Sequence, residues 1–580
     1  MDPSEIFDAF PAPSYRGHQE QALRSIQDAF EAGNKVVLVQ APTGSGKSLL
    51  ARAICGCARS RGQEDKATLT GAYYTTPQVS QLDDVAEDQL LDDFSIVRGK
   101  NNYQCILPEE RDTAVNHAPC VRKQGYECSV QHRCPYYVDR SGAATGSIAA
   151  MTLAYFMRTA GSDVFGPRDI CVIDEAHGLG EWAEMYATIE LNKDTVPVWD
   201  DLSIPDIEGI DSAVNFAAQV INKSQRVLKQ LTKSQELSAA DIQVRDRLQE
   251  RISELQWFIQ DVENAESTTT WLTSQGDQKT VTIKPLEPAR YLNHTVWERA
   301  QHFALLSATI LNKEAFCRSV GLDSEQVALV EIDHTFPVEN RPLYDVTCGK
   351  MTRKHRSKTL PKIAETIGKV MTKHADQKGI VHCHAYTIQN QLIDELETLG
   401  VGDRLWVHNR DNREDILKTW KQSSGNGVLM SVKMEEALDL EGDLARWQVL
   451  CKSPYPNTND ARVEYRLEQD RWAWYFRNTL RTIIQASGRI VRTPDDYGAT
   501  YVADKSILEV FQRIKADIPP WFQEAIDRIE KPNLPETIKS KSATSVGSES
   551  TEMQKQRQGS QNDRSSKQQS DGPLSDVWGS

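Results

Sequence analysis

The segment Ala41-Pro-Thr-Gly-Ser-Gly-Lys-Ser48 follows an apolar run at residues 35–40, and its residue types suit the grip of a polyphosphate. Gly44 and Gly46, spaced by Ser45 and preceded by Thr43, let backbone N–H groups turn onto phosphate oxygens. Lys47 neutralises the β/γ charge, and the Ser48 hydroxyl suits Mg²⁺. Ala41 replaces the first glycine of the strict pattern, but the mechanics survive. Many unrelated ATPases share such a loop, so it specifies a nucleotide and leaves the function open. Asp174-Glu-Ala-His177 closes a second apolar run. Asp174 suits Mg²⁺ or its waters, and Glu175 suits orienting and deprotonating an attacking water. A solvated acidic pair is the alternative, and the Ala-His that follows argues against it. Ser307-Ala-Thr309 comes next, then Gln485-Ala-Ser-Gly-Arg-Ile-Val-Arg492. Arg489 and Arg492 are suited to reach a γ-phosphate as arginine fingers. A basic helix face is the alternative there, but it does not explain Gln, Gly, Arg and Arg at these offsets.

Cys105, Cys120, Cys128 and Cys134 lie between the loop and the acidic box, separated by fourteen, seven and five residues. That spacing is neither a paired zinc ribbon nor a ferredoxin run, so a zinc site and unrelated thiols both stay open. Arg98, Lys100, Arg111, Arg122, Lys123, Arg133 and Arg140 surround them, interleaved with Tyr103, Tyr126, Tyr136 and Tyr137. Cations among aromatics suit a single-stranded nucleic-acid track or a strand-separating wedge. Nearby acidic residues leave an ordinary charged surface as the alternative. His117 and His132 read as surface histidines. The other seven of the eleven cysteines read mostly as small buried hydrophobes, Cys55-x-Cys57 included.

These residues need strands to hold them. Residues 35–40, 170–173, 379–383 and 446–451 are short apolar runs alternating with helical segments, which argues for parallel sheets covered on both faces. They fall into two groups, hence two α/β lobes, at residues 1–330 and 335–535. Two stretches interrupt the first lobe. Residues 101–145 hold the cysteines. In residues 185–275, Ile242, Leu248, Ile252, Leu255, Ile259 and Val262 recur near helical spacing, as in an antiparallel helical hairpin. An ordinary helix of the main lobe is the alternative. Residues 537–580 are Ser, Gln, Lys and Gly with few aliphatics and are expected to be disordered. Their end, Pro573-Leu-Ser-Asp-Val-Trp578, could dock a protein partner, although a solvated end without a role is the simpler reading.

At 580 residues, with 39% hydrophobic and 26% charged residues, the chain has the composition of a multidomain globular protein. No stretch approaches the roughly 20 apolar residues of a membrane span, and the first residues do not resemble a secretory signal. An odd cysteine count suggests a reducing compartment: cytoplasmic, or host-intracellular if the source is viral. A net charge of −15 argues against non-specific coating of nucleic acid, though a basic channel can sit inside an acidic body.

Taken in order, Tyr15-Arg16-x-x-Gln19, the Lys47 loop, Asp174–His177, Ser307–Thr309 and Gln485–Arg492 resemble the XPD/DinG-like iron–sulfur helicases of superfamily 2. Arg98-Gly-Lys-Asn-Asn-Tyr-Gln-Cys105, Cys134-Pro-Tyr-Tyr137, Asp496-Tyr-Gly498 and Ala503-Asp-Lys505 are similar to the family's local segments. The resemblance covers roughly residues 10–530. It implies two RecA-like lobes, a [4Fe–4S] cluster on Cys105, Cys120, Cys128 and Cys134, and a reduced Arch-like domain at 185–275. It also implies ATP and Mg²⁺ as cofactors, with Arg16, Gln19, His177, Asp439 and Gln485 joining the nucleotide site. The implied activity is ATP-driven 5′→3′ movement on single-stranded DNA and unwinding of forked duplexes. There are departures. Glu436-Ala-Leu-Asp439 has Ala437 at a usual glycine, and His384 stands where Ser or Thr is common. An RNA helicase or RNP remodeller, and a DNA-binding recruitment factor without productive unwinding, are the rival readings.

Overall fold

The computed structural model describes residues 1–580 apart from 60–68, 124–125, 234–236, 265–270, 277–278, 433–439, 441 and 540–580. The chain divides into two compact units, Met1–His334 and Thr335–Ser580. The described residues of the first unit form ten strands: β1 (Val36–Gln40), β2 (Ala72–Thr76), β3 (Phe94–Ile96), β4 (Ile148–Thr152), β5 (Arg168–Ile173), β6 (Ile189–Leu191), β7 (Trp271–Gln275), β8 (Val281–Pro285), β9 (Ala300–Ser307) and β10 (Val327–Glu331). Seven form one parallel sheet in the order β10-β1-β9-β5-β2-β4-β3. Every residue of β1, β2 and β5 is buried, because helices cover both faces. Strand alternation divides the core in two. Val37 and Val39 pack with Leu23 and Ile26 of helix Gln19–Glu31 and with Leu50 and Ile54 of helix Lys47–Gly56. On the other face, Leu38, Ile173 and Leu305 pack with Phe156 and with Leu179 and Ala183.

The second interruption has a core of its own. Helices Ile210–Leu231 and Ala239–Glu263 pack together and onto a three-stranded antiparallel sheet, β6-β8-β7. Phe216, Val220, Leu248, Leu255, Phe258 and Ile283 fill the space between them. Ile242, Leu248 and Leu255 are fully buried, as their helical spacing predicts. The sheet is the part that the periodicity does not reveal, and it carries the insertion past residue 275 to Pro285. Ser238 and Asp241 cap the second helix reciprocally, the Ser238 hydroxyl accepting from Asp241 N at 3.1 Å and the Asp241 carboxylate accepting from Ser238 N at 3.1 Å.

In the second unit β11 (Leu343–Gly349), β12 (Gly379–His382), β13 (Leu405–Val407), β14 (Val428–Ser431), β15 (Trp447–Leu450) and β16 (Ala499–Asp504) form a parallel sheet ordered β11-β16-β15-β12-β14-β13. Two of these are the runs expected at 379–383 and 446–451. Gly379 lies against the buried indole of Trp447, and a Cβ there would sit 2.1 Å from a ring carbon. The unit runs slightly further than expected. Ile538 packs against Gly368, and Lys539 N donates to the Thr372 hydroxyl at 3.0 Å, so residues 537–539 belong to the lobe and not to a tail. The docking peptide read at 573–578 lies outside the described residues. Among the described residues no helix is long and apolar enough to cross a membrane.

Candidate nucleotide site and four-cysteine module

The C-terminal ends of three adjacent parallel strands, β1, β9 and β5, meet where the chemistry was expected, the usual ligand edge of such a sheet. From β1 the chain enters the glycine loop, pinned by Ala41 N donating to Ser307 O at 2.8 Å. Gly44 and Gly46 take φ of 82° and 80°, left-handed values that disfavour a side chain. Gly46 has a second reason to be glycine. A Cβ there would lie 2.2 Å from Gln19 Nε2. Gln19 is buried and spans two segments, its amide donating to Ser45 O at 3.1 Å while its carbonyl accepts from Arg16 N at 2.9 Å. Gly46 caps helix Lys47–Gly56, whose first N–H groups have no partner within the helix. The Ser45 hydroxyl is buried without a hydrogen-bond partner among the described residues.

Lys47 Nζ lies 3.2 Å from Glu175 Oε1, and His177 Nδ1 lies 3.3 Å from Glu175 Oε2. The same His177 nitrogen is 3.0 Å from the Ser307 hydroxyl, which also accepts from Thr309 N at 3.0 Å. Glu175 holds this position at φ 49°, a left-handed value uncommon for a non-glycine residue. Asp174 accepts from Glu175 N at 2.9 Å and from the Tyr74 hydroxyl at 3.3 Å. Burial, and then the Glu175 charge, push the Asp174 carboxyl up to about 6 against the opposing pull of Lys47. Burial and the Asp174 charge drive the Tyr74 hydroxyl well above its ordinary range. Lys47, Asp174, Glu175 and His177 thus form one network. Ser307, noted as a motif residue but not as a site residue, joins it, and so does Tyr74, which carried no sequence signal.

Gln485, Arg489 and Arg492 belong to the second unit. Gln485 is buried in the last turn of helix Trp472–Ser487, and Gly488 caps that helix. Arg492 N and Thr493 N both donate to Asp496, at 3.0 and 3.2 Å, fixing the turn that follows. His384 lies just past β12 at φ 56°, its ring stacked 6.1 Å from that of His382. Asp439 and Ala437 lie outside the described residues.

The four cysteines gather in a module of short helical turns with two small apolar clusters. Cys105 and Cys134 are buried, and Cys120 and Cys128 are half-buried. Burial raises the Cys120 thiol, and the Cys128, Cys134 and Cys105 thiols each push it further up. Cys105, Cys128 and Cys134 therefore each lie within electrostatic reach of Cys120. Among the described residues no three of His, Cys, Asp and Glu are drawn together tightly enough to grip a single ion. The expected track of cations and tyrosines is partly spoken for. Tyr103 and Tyr136 are buried at 5.6 Å from each other, and Tyr103 donates to Asp139 at 2.9 Å. Arg98 pairs with Asp83 at 3.1 Å, and Arg122 with Glu110 at 3.1 Å. Arg111 and Arg133 stay exposed. Hydrogen bonds join the module to the helical insertion: Arg245 Nη1 donates to Val121 O at 2.9 Å, and Leu237 N to Arg122 O at 3.0 Å.

Residues 13–197 match the family model described as "Type III restriction enzyme, res subunit", and residues 368–525 match the one described as "Helicase C-terminal domain". The chain is 25% identical over 272 residues to the ATP-dependent DNA helicase DinG of Photobacterium profundum, covering 43% of this chain and 38% of that one. It is 24% identical over 190 residues to the XPD/RAD3 helicase subunit of the general transcription and DNA repair factor IIH of Saccharomyces cerevisiae, covering 29% of this chain and 24% of that one. The chain thus spans well under half the length of these curated relatives. Two solved structures share the fold: one titled XPD_Helicase, with a TM-score of 0.58 at 17% identity over 90% of this chain and 100% of that chain, and S. tokodaii Xpd4, at 0.52 and 16% over 89% and 100%. Two RecA-like parallel-sheet lobes give this chain the fold that those two solved structures share. In sequence it is similar, over part of its length, to helicases of the DinG and XPD kind.

Proposed function

We propose that this protein is an ATP-dependent DNA helicase that moves 5′→3′ on single-stranded DNA and unwinds forked duplexes. The observation that carries this reading is the Lys47–Glu175–His177–Ser307 network at the ends of adjacent parallel strands. In this account Lys47 and the N–H groups of the Gly44–Ser48 loop hold the β- and γ-phosphates, and the buried Ser45 hydroxyl gains a phosphate partner. Ser48 and Asp174 hold Mg²⁺, and Glu175 releases Lys47 to orient the attacking water. Gln19 and Arg16 brace the loop, while Gln485, Arg489, Arg492 and Asp439 act from the second unit, the two arginines on γ-phosphate charge. The likeness to DinG and XPD supports DNA as the polymer, and the 5′→3′ direction rests on that likeness.

Cys105, Cys120, Cys128 and Cys134 would hold a [4Fe–4S] cluster. The donor set suits it, with four thiols on one small module. Bound there, a cluster would supply four metal–sulfur bonds to a module with little apolar core. ATP turnover measured with single-stranded DNA and with single-stranded RNA tests the proposal. Stimulation by DNA well above that by RNA is expected. Stimulation by RNA alone would favour RNP remodelling instead.

A further inference from the structure

The second unit has an aromatic pocket that lies outside all the motif residues, with a volume of about 430 Å³. Its lining is Tyr455, Trp472, Tyr475, Phe476, Glu509 and Arg513, with no aliphatic side chain among them. Tyr455 and Tyr475 lie face to face, centroids 5.2 Å apart and planes 9° from parallel. Trp472 stacks on Phe476 at 6.2 Å and 28°, and remains 47% exposed. Arg513 lies over the Phe476 ring, 5.0 Å from its centroid. Glu509, the acidic residue of the lining, is bridged at 2.8 Å by Lys350, which leaves Arg513 as the cation of the lining.

We propose that this pocket takes an unpaired nucleobase of the DNA strand on which the motor acts, an inference that rests on the DNA-motor reading above. A half-exposed indole beside stacked rings and a guanidinium matches a base with its phosphate, since every base has a π-face and the phosphate needs a cation. An apolar peptide would favour aliphatic walls, which the pocket lacks. Its position adds a consequence. Trp472, Tyr475 and Phe476 occupy the first turns of helix Trp472–Ser487, whose last turn carries Gln485 and whose exit leads to Arg489 and Arg492. The fourteen residues from Trp472 to Gln485 span roughly 20 Å of continuous helix. Base capture at one end is thereby tied to Gln485 at the other, and Gly488 caps the helix before Arg489 and Arg492.

The test uses the full chain, an oligodeoxythymidylate, and a strand of equal length built of abasic sugar–phosphate. Trp472→Ala should raise the oligodeoxythymidylate concentration for half-maximal ATPase stimulation about tenfold, the scale of losing one stacked base. Turnover without DNA should be unchanged, because Trp472 lies outside the nucleotide machinery. Trp472→Phe, which keeps a ring, should stay within about twofold of wild type. Wild type should handle the abasic strand as poorly as Trp472→Ala handles oligodeoxythymidylate, and the variant should not tell the two strands apart. The proposal is overturned if Trp472→Ala matches wild type on oligodeoxythymidylate. It is equally overturned if the variant weakens both strands alike, as a structural or peptide-docking pocket would. If wild-type turnover ignores single-stranded DNA altogether, the motor reading itself fails, and the pocket's role fails with it.

Discussion

Glu175 holds Lys47 with one carboxylate oxygen and His177 with the other, from a left-handed backbone that costs on the order of 1–3 kcal/mol. Such strain persists where the surroundings fix it, and here the strand end, Asp174 and His177 do so. Glu175→Gln keeps the shape and removes the base. It should bind a fluorescent ATP analogue like wild type while turnover falls about 10²–10⁴-fold. Lys47→Ala should lose turnover on the order of 10²–10³-fold, because it removes charge facing the transferring phosphate. Near-normal turnover in either variant would mean that the network is not the hydrolytic site. Lys47, Ser48, Asp174 and Glu175 could be picked out in the sequence because the phosphate and Mg²⁺ chemistry proposed for them demands particular side chains at fixed local offsets. Tyr74 was not. Its hydrogen bond to Asp174 exists only because β2 pairs with β5, a long-range fact with no local mark.

At the scale of elements, the cysteine module and the helical insertion make separate predictions. Anaerobically purified protein should be brown, with about four irons and four sulfides per chain. Cys105→Ser should lose the colour and open residues 101–145 to protease, while DNA-free ATP turnover partly survives on strands outside the module. One zinc per chain in protein made with ample iron would contradict the cluster. In the insertion, burial pushes the Glu254 carboxyl up to about 8, despite Arg251 at 2.9 Å, with Glu250 and Arg158 as the other charges nearby. The folded unit then keeps a proton that the unfolded chain releases at about 4.3. The associated stability is complete at low pH and is lost as pH rises through that window to about 8. Glu254→Gln should therefore raise the melting midpoint at about pH 8 by about 2–4 °C, the shift of ~1 kcal/mol in a domain of this size, with little change near pH 5. Equal shifts at both pH values would point to packing instead. The second of the two helices was readable from its apolar period, Ile242 to Val262. The small sheet was not, since β6 has three residues and pairs with β8 about ninety positions away.

For the whole molecule, two parallel sheets with separate cores follow from the buried apolar runs, and the two compact units divide after His334. Strand order was beyond sequence reasoning. The arrangement β10-β1-β9 brackets the glycine-loop strand with two strands from the far end of the unit, and only tertiary pairing decides that. The neighbouring β9–β5 pairing, equally non-local, is what brings Ser307 beside His177. The scaffold makes sense as a motor only if turnover at that network does work on a nucleic acid. Strand displacement with 5′-tailed and 3′-tailed DNA duplexes, using wild type and Glu175→Gln, tests this most directly. Wild type should displace the strand from the 5′-tailed duplex in an ATP-dependent manner and leave the 3′-tailed one intact, and Glu175→Gln should displace neither. Wild-type protein that hydrolyses ATP on single-stranded DNA yet separates neither duplex would contradict the helicase reading.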